Sequence, residues 1–280
     1  MTKTSNVHII ILYVVILGKC GEKMKLEYLG DVLDVNLIDE GQGETVVVLH
    51  GWGASCELYR TVINPLKESC RVIAPDFPGF GKTTEPTSPY SIEDYAGFVV
   101  ALLDKLSVEK VHLIGHSHGG RTVLELLTGN YNMQFGKVVL LDSAGIPVKK
   151  KLSKRIKIRT YKILKCLFGT GIVKKIFPKA LDNLRKKFGS ADYASASEIM
   201  RQSMVKVLPC DYSDKLSLIK NPTLLIWGEN DTDTPLSCAK VLEKGISDCG
   251  LVTVKGAGHF AFAQAPALTA NVLKSFFNIK

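Results

Sequence analysis

Val111-His112-Leu113-Ile114-Gly115-His116-Ser117-His118-Gly119-Gly120-Arg121 decides the fold of this chain. Val111 to Ile114 is a continuous apolar run that reads as a buried strand, and a helical pattern opens near Gly120. A serine on a glycine-flanked turn between strand and helix is a nucleophile elbow, which pushes its hydroxyl out over the sheet edge. Such a turn is too tight for bulky neighbours, and Gly115 and Gly119 meet that steric need.

Outward from the elbow, strand-like runs alternate with helical ones. Lys25 to Leu29 and Val32 to Ile38 read as an antiparallel pair joined at Gly30-Asp31. Thr45 to Leu49, Arg71 to Ala74, Lys137 to Leu141, Thr223 to Trp227 and Leu251 to Val254 are apolar runs like Val111 to Ile114. Strands apolar on both faces belong to a parallel sheet covered on each side by helices. Ser91 with Asp94 three residues on signals a capped helix running to about Leu106. Further helices are expected from about Gly119 to Thr128, after Pro235, and from Pro266 to Phe277. The fold class is α/β: a mostly parallel, doubly wound sheet.

The stretch 147–220 breaks the alternation. It has helical periodicity, no strand pattern, and 19 Lys and Arg against 5 Asp and Glu. That is a net +14 within a chain of +9, which leaves the rest at −5. We read it as a basic helical cap inserted between two parts of the core, 24–146 and 221–280. It carries no nucleic-acid motif, so no nucleic-acid partner is expected. Its charge is read as solvated lysine on amphipathic helices, with an acidic substrate or an anionic membrane surface as the alternatives.

A hydrophobic fraction of 46% and a charged fraction of 22% are ordinary for a globular protein. The seven cysteines include no C-x-x-C pair, which argues against a disulfide framework and a zinc site and favours a reducing cytosol. Ile9 to Leu17 is apolar but shorter than the roughly 20 residues of a membrane span. Lys3 alone precedes it as a basic residue, and no small-x-small cleavage site follows. We expect Met24 to be the true start and 1–23 to be a leader or mis-called start. Retention of 1–23 as a weak membrane anchor is the alternative.

A serine hydroxyl needs a base to take its proton, and histidine suits neutral pH. His259 is the candidate, in Gly256-Ala257-Gly258-His259-Phe260 directly after a strand. His116 and His118 flank Ser117 too closely to serve. The base in turn needs a carboxylate to fix its tautomer. Asp231 is expected to supply it, with Asp233 the runner-up or a cap for the helix after Pro235. A developing oxyanion needs backbone donors. Those of His118, at the start of the elbow helix, and of Trp52, in His50-Gly51-Trp52-Gly53, are expected to provide them.

These pieces, with Asp76-Phe77-Pro78-Gly79-Phe80-Gly81 and Trp227-Gly228-Glu229-Asn230-Asp231, resemble the α/β-hydrolase superfamily in its serine-nucleophile branch with a helical cap. The match spans about residues 25 to 280 and is specific for fold and triad, less so for substrate. The order Ser, Asp, His is that of the superfamily. The resemblance implies that Asp76 to Gly81 is a structural turn. A serine in the elbow disfavours the haloalkane dehalogenase and epoxide hydrolase branches, whose elbow carries an acid. Gly119-Gly120-Arg121 is similar to the menaquinone-pathway succinyl-hydroxycyclohexadiene-carboxylate synthases, lyases in which the arginine binds substrate carboxylate. Arg121 is thus either a substrate-binding residue or an arginine on the helix surface.

The expected function is hydrolysis of an ester or related acyl bond of a small molecule, with no organic cofactor and no metal. The alternatives are the lyase just named or a carbon–carbon bond hydrolase, and a non-catalytic binding protein of the same fold. The complete set of three groups argues against the last.

Overall fold

The computed structural model describes residues 22–148, 160 and 191–279. Eight strands form one sheet: β1 (Glu22–Tyr28), β2 (Asp31–Glu40), β3 (Glu44–Leu49), β4 (Cys70–Pro75), β5 (Lys110–His116), β6 (Gln134–Leu141), β7 (Thr223–Gly228) and β8 (Cys249–Val254). Their order is β1-β2-β4-β3-β5-β6-β7-β8. The pairs β1/β2 and β2/β4 are antiparallel, and every other pair is parallel.

The strand side chains alternate between two cores. Val47 and Leu49 of β3, Val138 and Leu140 of β6, and Leu225 and Trp227 of β7 pack on one face. Val46 and Val48, Val139 and Leu141, and Leu224 and Ile226 pack on the other. Full burial of one such aliphatic side chain contributes about 1.5–3 kcal/mol, so a sheet covered on both faces is well stabilised.

Helices α1 (Arg60–Leu66), α2 (Ile92–Lys105) and α3 (His118–Thr128) come before the basic stretch. Helices α4 (Ala191–Ser195), α5 (Glu198–Val207), α6 (Leu236–Gly245), α7 (Ala261–Gln264) and α8 (Pro266–Phe277) come later. Tyr95, Phe98 and Leu102 of α2 and Leu242 of α6 enter the first core, while Val62 and Leu66 of α1 and Leu273 of α8 enter the second. The capping box of α2 forms as expected. Asp94 N–H donates to Ser91 Oγ at 3.2 Å, and Ser91 N–H donates to Asp94 Oδ2 at 2.7 Å.

Strand β1 begins at Glu22 rather than Lys25, because the ten-residue β2 offers partners that far back. Glu22 and Lys23 pair with Leu37 and Asn36, so the sheet takes up the end of the stretch expected to lie outside it. The rest of that stretch, 1–21, lies outside the described residues. So do 149–159 and 161–190 of the expected cap, of which α4, α5 and a 3-10 turn at Ser213–Leu218 are described. Among the described residues, no helix is long and apolar enough to cross a membrane.

The carboxyl ends of the parallel strands share one edge, the usual place for a site in an open α/β sheet. The chain leaves that edge into His50 after β3, Asp76 after β4, Ser117 after β5, Asp142 after β6, Asp231 after β7 and His259 after β8.

Candidate active site

Ser117 sits between β5 and α3 with φ 51 and ψ −109, a conformation that costs an L-residue about 1–3 kcal/mol. Close approach of the flanking elements imposes it. A Cβ added at Gly115 would run into the Gly119 carbonyl and the Gly120 Cα, and one at Gly119 into the Leu49 carbonyl. The strained turn is held by Ser117 N–H donating to Leu141 O at 3.2 Å, and by Ala144 N–H donating to Ser117 O at 2.9 Å.

Ser117 Oγ lies 3.1 Å from His259 Nε2, and His259 Nδ1 lies 2.8 Å from Asp231 Oδ2. The three residues expected to act together form one hydrogen-bonded array, though 142 residues separate Ser117 from His259. Asp231 is buried and accepts from Thr234 Oγ1 at 2.7 Å, from Asp233 N–H at 2.8 Å and from Thr234 N–H at 3.0 Å. Burial alone would push its carboxyl up, but the bonds from His259 and Thr234 outweigh it and hold it below the ordinary range. An ionised Asp231 keeps the His259 proton on Nδ1 and leaves Nε2 to face the serine.

Burial likewise pulls the His259 imidazolium down, yet the Asp231 bond and charge prevail and the net shift is upward from 6.5, with Asp233 adding to it. A base must be neutral to take a proton. The rate of serine modification should therefore rise with pH through a midpoint above 6.5. Asp233→Asn should move that midpoint down, since it removes a negative charge that favours the imidazolium. A pH profile of kcat/KM for the two proteins checks both, and an unmoved or raised midpoint in the variant contradicts the assignment.

Asp233 itself is exposed, and helix α6 starts at Leu236 with Pro235 at its N-cap position and no side-chain cap, so Asp233 caps nothing there.

The Trp52 and His118 backbone N–H groups have no hydrogen-bond acceptor among the described residues. Their loops are neighbours, with the two rings 5.2 Å apart edge to face. His50 shapes the first loop. Its Nδ1–H donates to Gly51 O at 2.7 Å, while its Nε2 accepts Phe77 N–H at 2.8 Å. The His118 ring is buried among Trp52, Phe77, Phe80 and Tyr95, and neither ring nitrogen has a partner among the described residues. Asp76 ties the neighbouring turn, accepting Cys56 N–H at 2.7 Å, Asn36 Nδ2–H at 2.8 Å and Lys82 N–H at 2.9 Å.

Arg121 does not lie on the helix surface. It is 9% exposed, one turn beyond Ser117, and its N–H donates to Ser117 O at 3.1 Å. Its side chain makes no ion pair or hydrogen bond to a described residue, and its Nε is buried without a partner. Burial pulls the guanidinium pKa down from its ordinary value.

Sequence reasoning missed Asp142 and Thr234. Asp142 is buried at φ 41, and its Oδ1 accepts Gly228 N–H at 2.7 Å. Its Oδ2 accepts Ala261 N–H at 3.1 Å, and its backbone oxygen lies 2.9 Å from Thr234 Oγ1. It thereby joins the strand leading to Asp231 with the helix that follows His259. Burial pushes its carboxyl up to about 7. The signal available was an acid directly after an apolar strand, at the same sheet edge as the other groups.

A 2-hydroxy-6-oxononadienedioate/2-hydroxy-6-oxononatrienedioate hydrolase of Escherichia coli is 29% identical to this chain over 260 residues, which cover 85% of this chain and 88% of the relative. A meta-cleavage product hydrolase from Pseudomonas fluorescens superposes with a TM-score of 0.69 at 22% identity, covering 92% of this chain and 98% of its own. An esterase from Exiguobacterium antarcticum superposes with a TM-score of 0.72 at 23% identity, covering 92% and 100%. The sheet order, the strained serine turn and a family-model match over residues 44–266 agree: the chain belongs to the alpha/beta hydrolase fold family.

Proposed function

We propose that this protein is a serine hydrolase that cleaves an ester or related bond next to a carbonyl through a covalent acyl-enzyme. The observation that carries the reading is the unbroken array Ser117–His259–Asp231 behind a strained elbow. In the first half-reaction Ser117 Oγ attacks the carbonyl carbon and gives its proton to His259 Nε2. The carbonyl oxygen takes the negative charge, and the free N–H groups of Trp52 and His118 supply its hydrogen bonds. As the tetrahedral species collapses, His259 passes the proton to the leaving group. Water then attacks the acyl-enzyme with His259 again as base, and Ser117 regains its proton as the acid departs. Ionised Asp231 stabilises the imidazolium in both halves.

The second reading, hydrolysis of a carbon–carbon bond in an acidic substrate, is favoured by Arg121. The buried Arg121 side chain has no hydrogen-bond or ion-pair partner among the described residues, an arrangement that is costly and that a ligand carboxylate would satisfy. The Escherichia coli relative is named for a dioate, a substrate that carries two such groups.

A pair of substrates separates the readings: a neutral p-nitrophenyl ester and a 2-hydroxy-6-oxo-dienedioate, assayed on wild type and Arg121→Ala. If Arg121 holds a carboxylate, the variant should raise KM for the dioate by roughly 30-fold or more, the equivalent of about 2 kcal/mol or above, and should change the ester little. Equal losses on both substrates would remove Arg121 from carboxylate recognition. No turnover of either by wild type would count against the hydrolase reading.

A further inference from the structure

His116 stands beside Ser117, is 1% exposed, and takes no part in the steps above. Its ring makes two short bonds. Nε2 lies 2.8 Å from the backbone oxygen of His259, and Nδ1 lies 2.7 Å from Tyr59 Oη. A carbonyl oxygen can only accept, so Nε2 carries the ring proton. Burial, with the nearby His259, holds the His116 pKa down to about 3, so the ring carries one proton and Nδ1 is an acceptor. Tyr59 O–H therefore donates to Nδ1. The Tyr59 oxygen is left to accept, and Gly51 N–H donates to it at 2.9 Å.

Every bond in this chain thus has a fixed direction. Gly51 N–H donates to Tyr59, Tyr59 donates to His116, and His116 donates to the carbonyl of His259. The chain begins in the loop that carries the Trp52 N–H, passes through the neighbour of Ser117, and ends on the backbone of His259. There is little slack along it. Tyr59 is wholly buried and stacks on Phe262 at 4.9 Å, and the His116 ring packs 4.9 Å from that of His259. A Cβ added at Gly51 would sit 2.8 Å from His116 Nδ1.

We propose that Tyr59 and His116 are positioning residues, a hydrogen-bonded strut that sets the Trp52 donor and the His259 base at one spacing across Ser117. Chemistry of this kind is sensitive to small displacements of such groups. A buried network with every member satisfied also stiffens its surroundings, and loses much of that when one member goes. The proposal rests on the reading of Ser117, His259 and the Trp52 N–H as the reacting groups.

The test uses a fluorophosphonate, whose phosphoryl oxygen makes the same demand on the oxyanion donors as a reacting carbonyl and needs no knowledge of the substrate. Inactivation kinetics give kinact and KI separately for wild type, Tyr59→Phe, His116→Gln and the double variant, with folding followed by thermal melting. We expect Tyr59→Phe to lower kinact by about tenfold, a fraction of what loss of a whole oxyanion donor costs, with KI within about twofold. His116→Gln should do the same. The double variant should be no slower than the worse single, because either change already breaks the strut. A folded Tyr59→Phe with wild-type kinact would overturn the proposal, and so would losses that add in the double variant or appear in KI alone. If Tyr59→Phe does not fold, the same kinact and KI criteria apply to His116→Gln. Wild type that is not labelled at all removes the reading of Ser117, and the strut with it.

Discussion

Ser117→Ala is expected to lower kcat by about 10⁴-fold or more while the fold and thermal stability stay close to wild type. The size follows from what the hydroxyl does. It forms the covalent bond, so no neighbour can substitute for it, and only the donors and binding contacts remain. The stability expectation follows from its surroundings. Its Oγ bonds to His259 Nε2 alone among the described residues, at 3.1 Å. The elbow is held by backbone bonds, from Ser117 N–H to Leu141 and from Ala144 N–H to Ser117 O, which alanine retains. Turnover assays with circular dichroism melting on both proteins check the pair of statements. An alanine variant with wild-type kcat would place the nucleophile elsewhere.

Asp231→Asn should cost nearly as much, a fall in kcat approaching about 10⁴-fold. The amide can keep one oxygen for the Thr234 and Asp233 N–H groups, but it presents an NH₂ to His259 Nδ1–H. Two donors then face each other, the ring turns or changes tautomer, and Nε2 no longer serves as base. The negative charge that stabilises the imidazolium is lost as well. Asp233→Asn should leave the rate at high pH almost unchanged, because that side chain is exposed and its contribution is a field at a distance. Kinetic comparison of the two variants ranks them, and the reverse ranking would mean that Asp233 is the orienting acid.

The parallel strands and the groups at their carboxyl ends were readable because each strand is a short apolar run followed at once by a loop with a chemically distinctive residue. Ser117, Asp231 and His259 each come within a few residues of such a run, so pattern and topology alone bring them to one edge. What was hidden depends on packing between elements distant in sequence. Helix α1 carries Pro65 in its interior, which as a sequence signal reads as a helix end. Tyr59, just before it, meets His116 across 57 residues. Asp142 needs a left-handed backbone and two amides, from Gly228 and Ala261, that arrive only when β7 and α7 are in place. The start of β1 at Glu22 comes from the length of β2, because a Glu-Lys pair carries little strand preference of its own. Arg121 reads as a surface residue by type. It is nonetheless 9% exposed, one turn into the helix that Ser117 opens.

The most direct measurement is the site of covalent attachment. Native protein treated with a fluorophosphonate and digested should show one modified peptide by mass spectrometry, with the adduct on Ser117, and none after heat denaturation. An adduct on any other residue, equal labelling of the denatured chain, or no adduct at all would contradict the account.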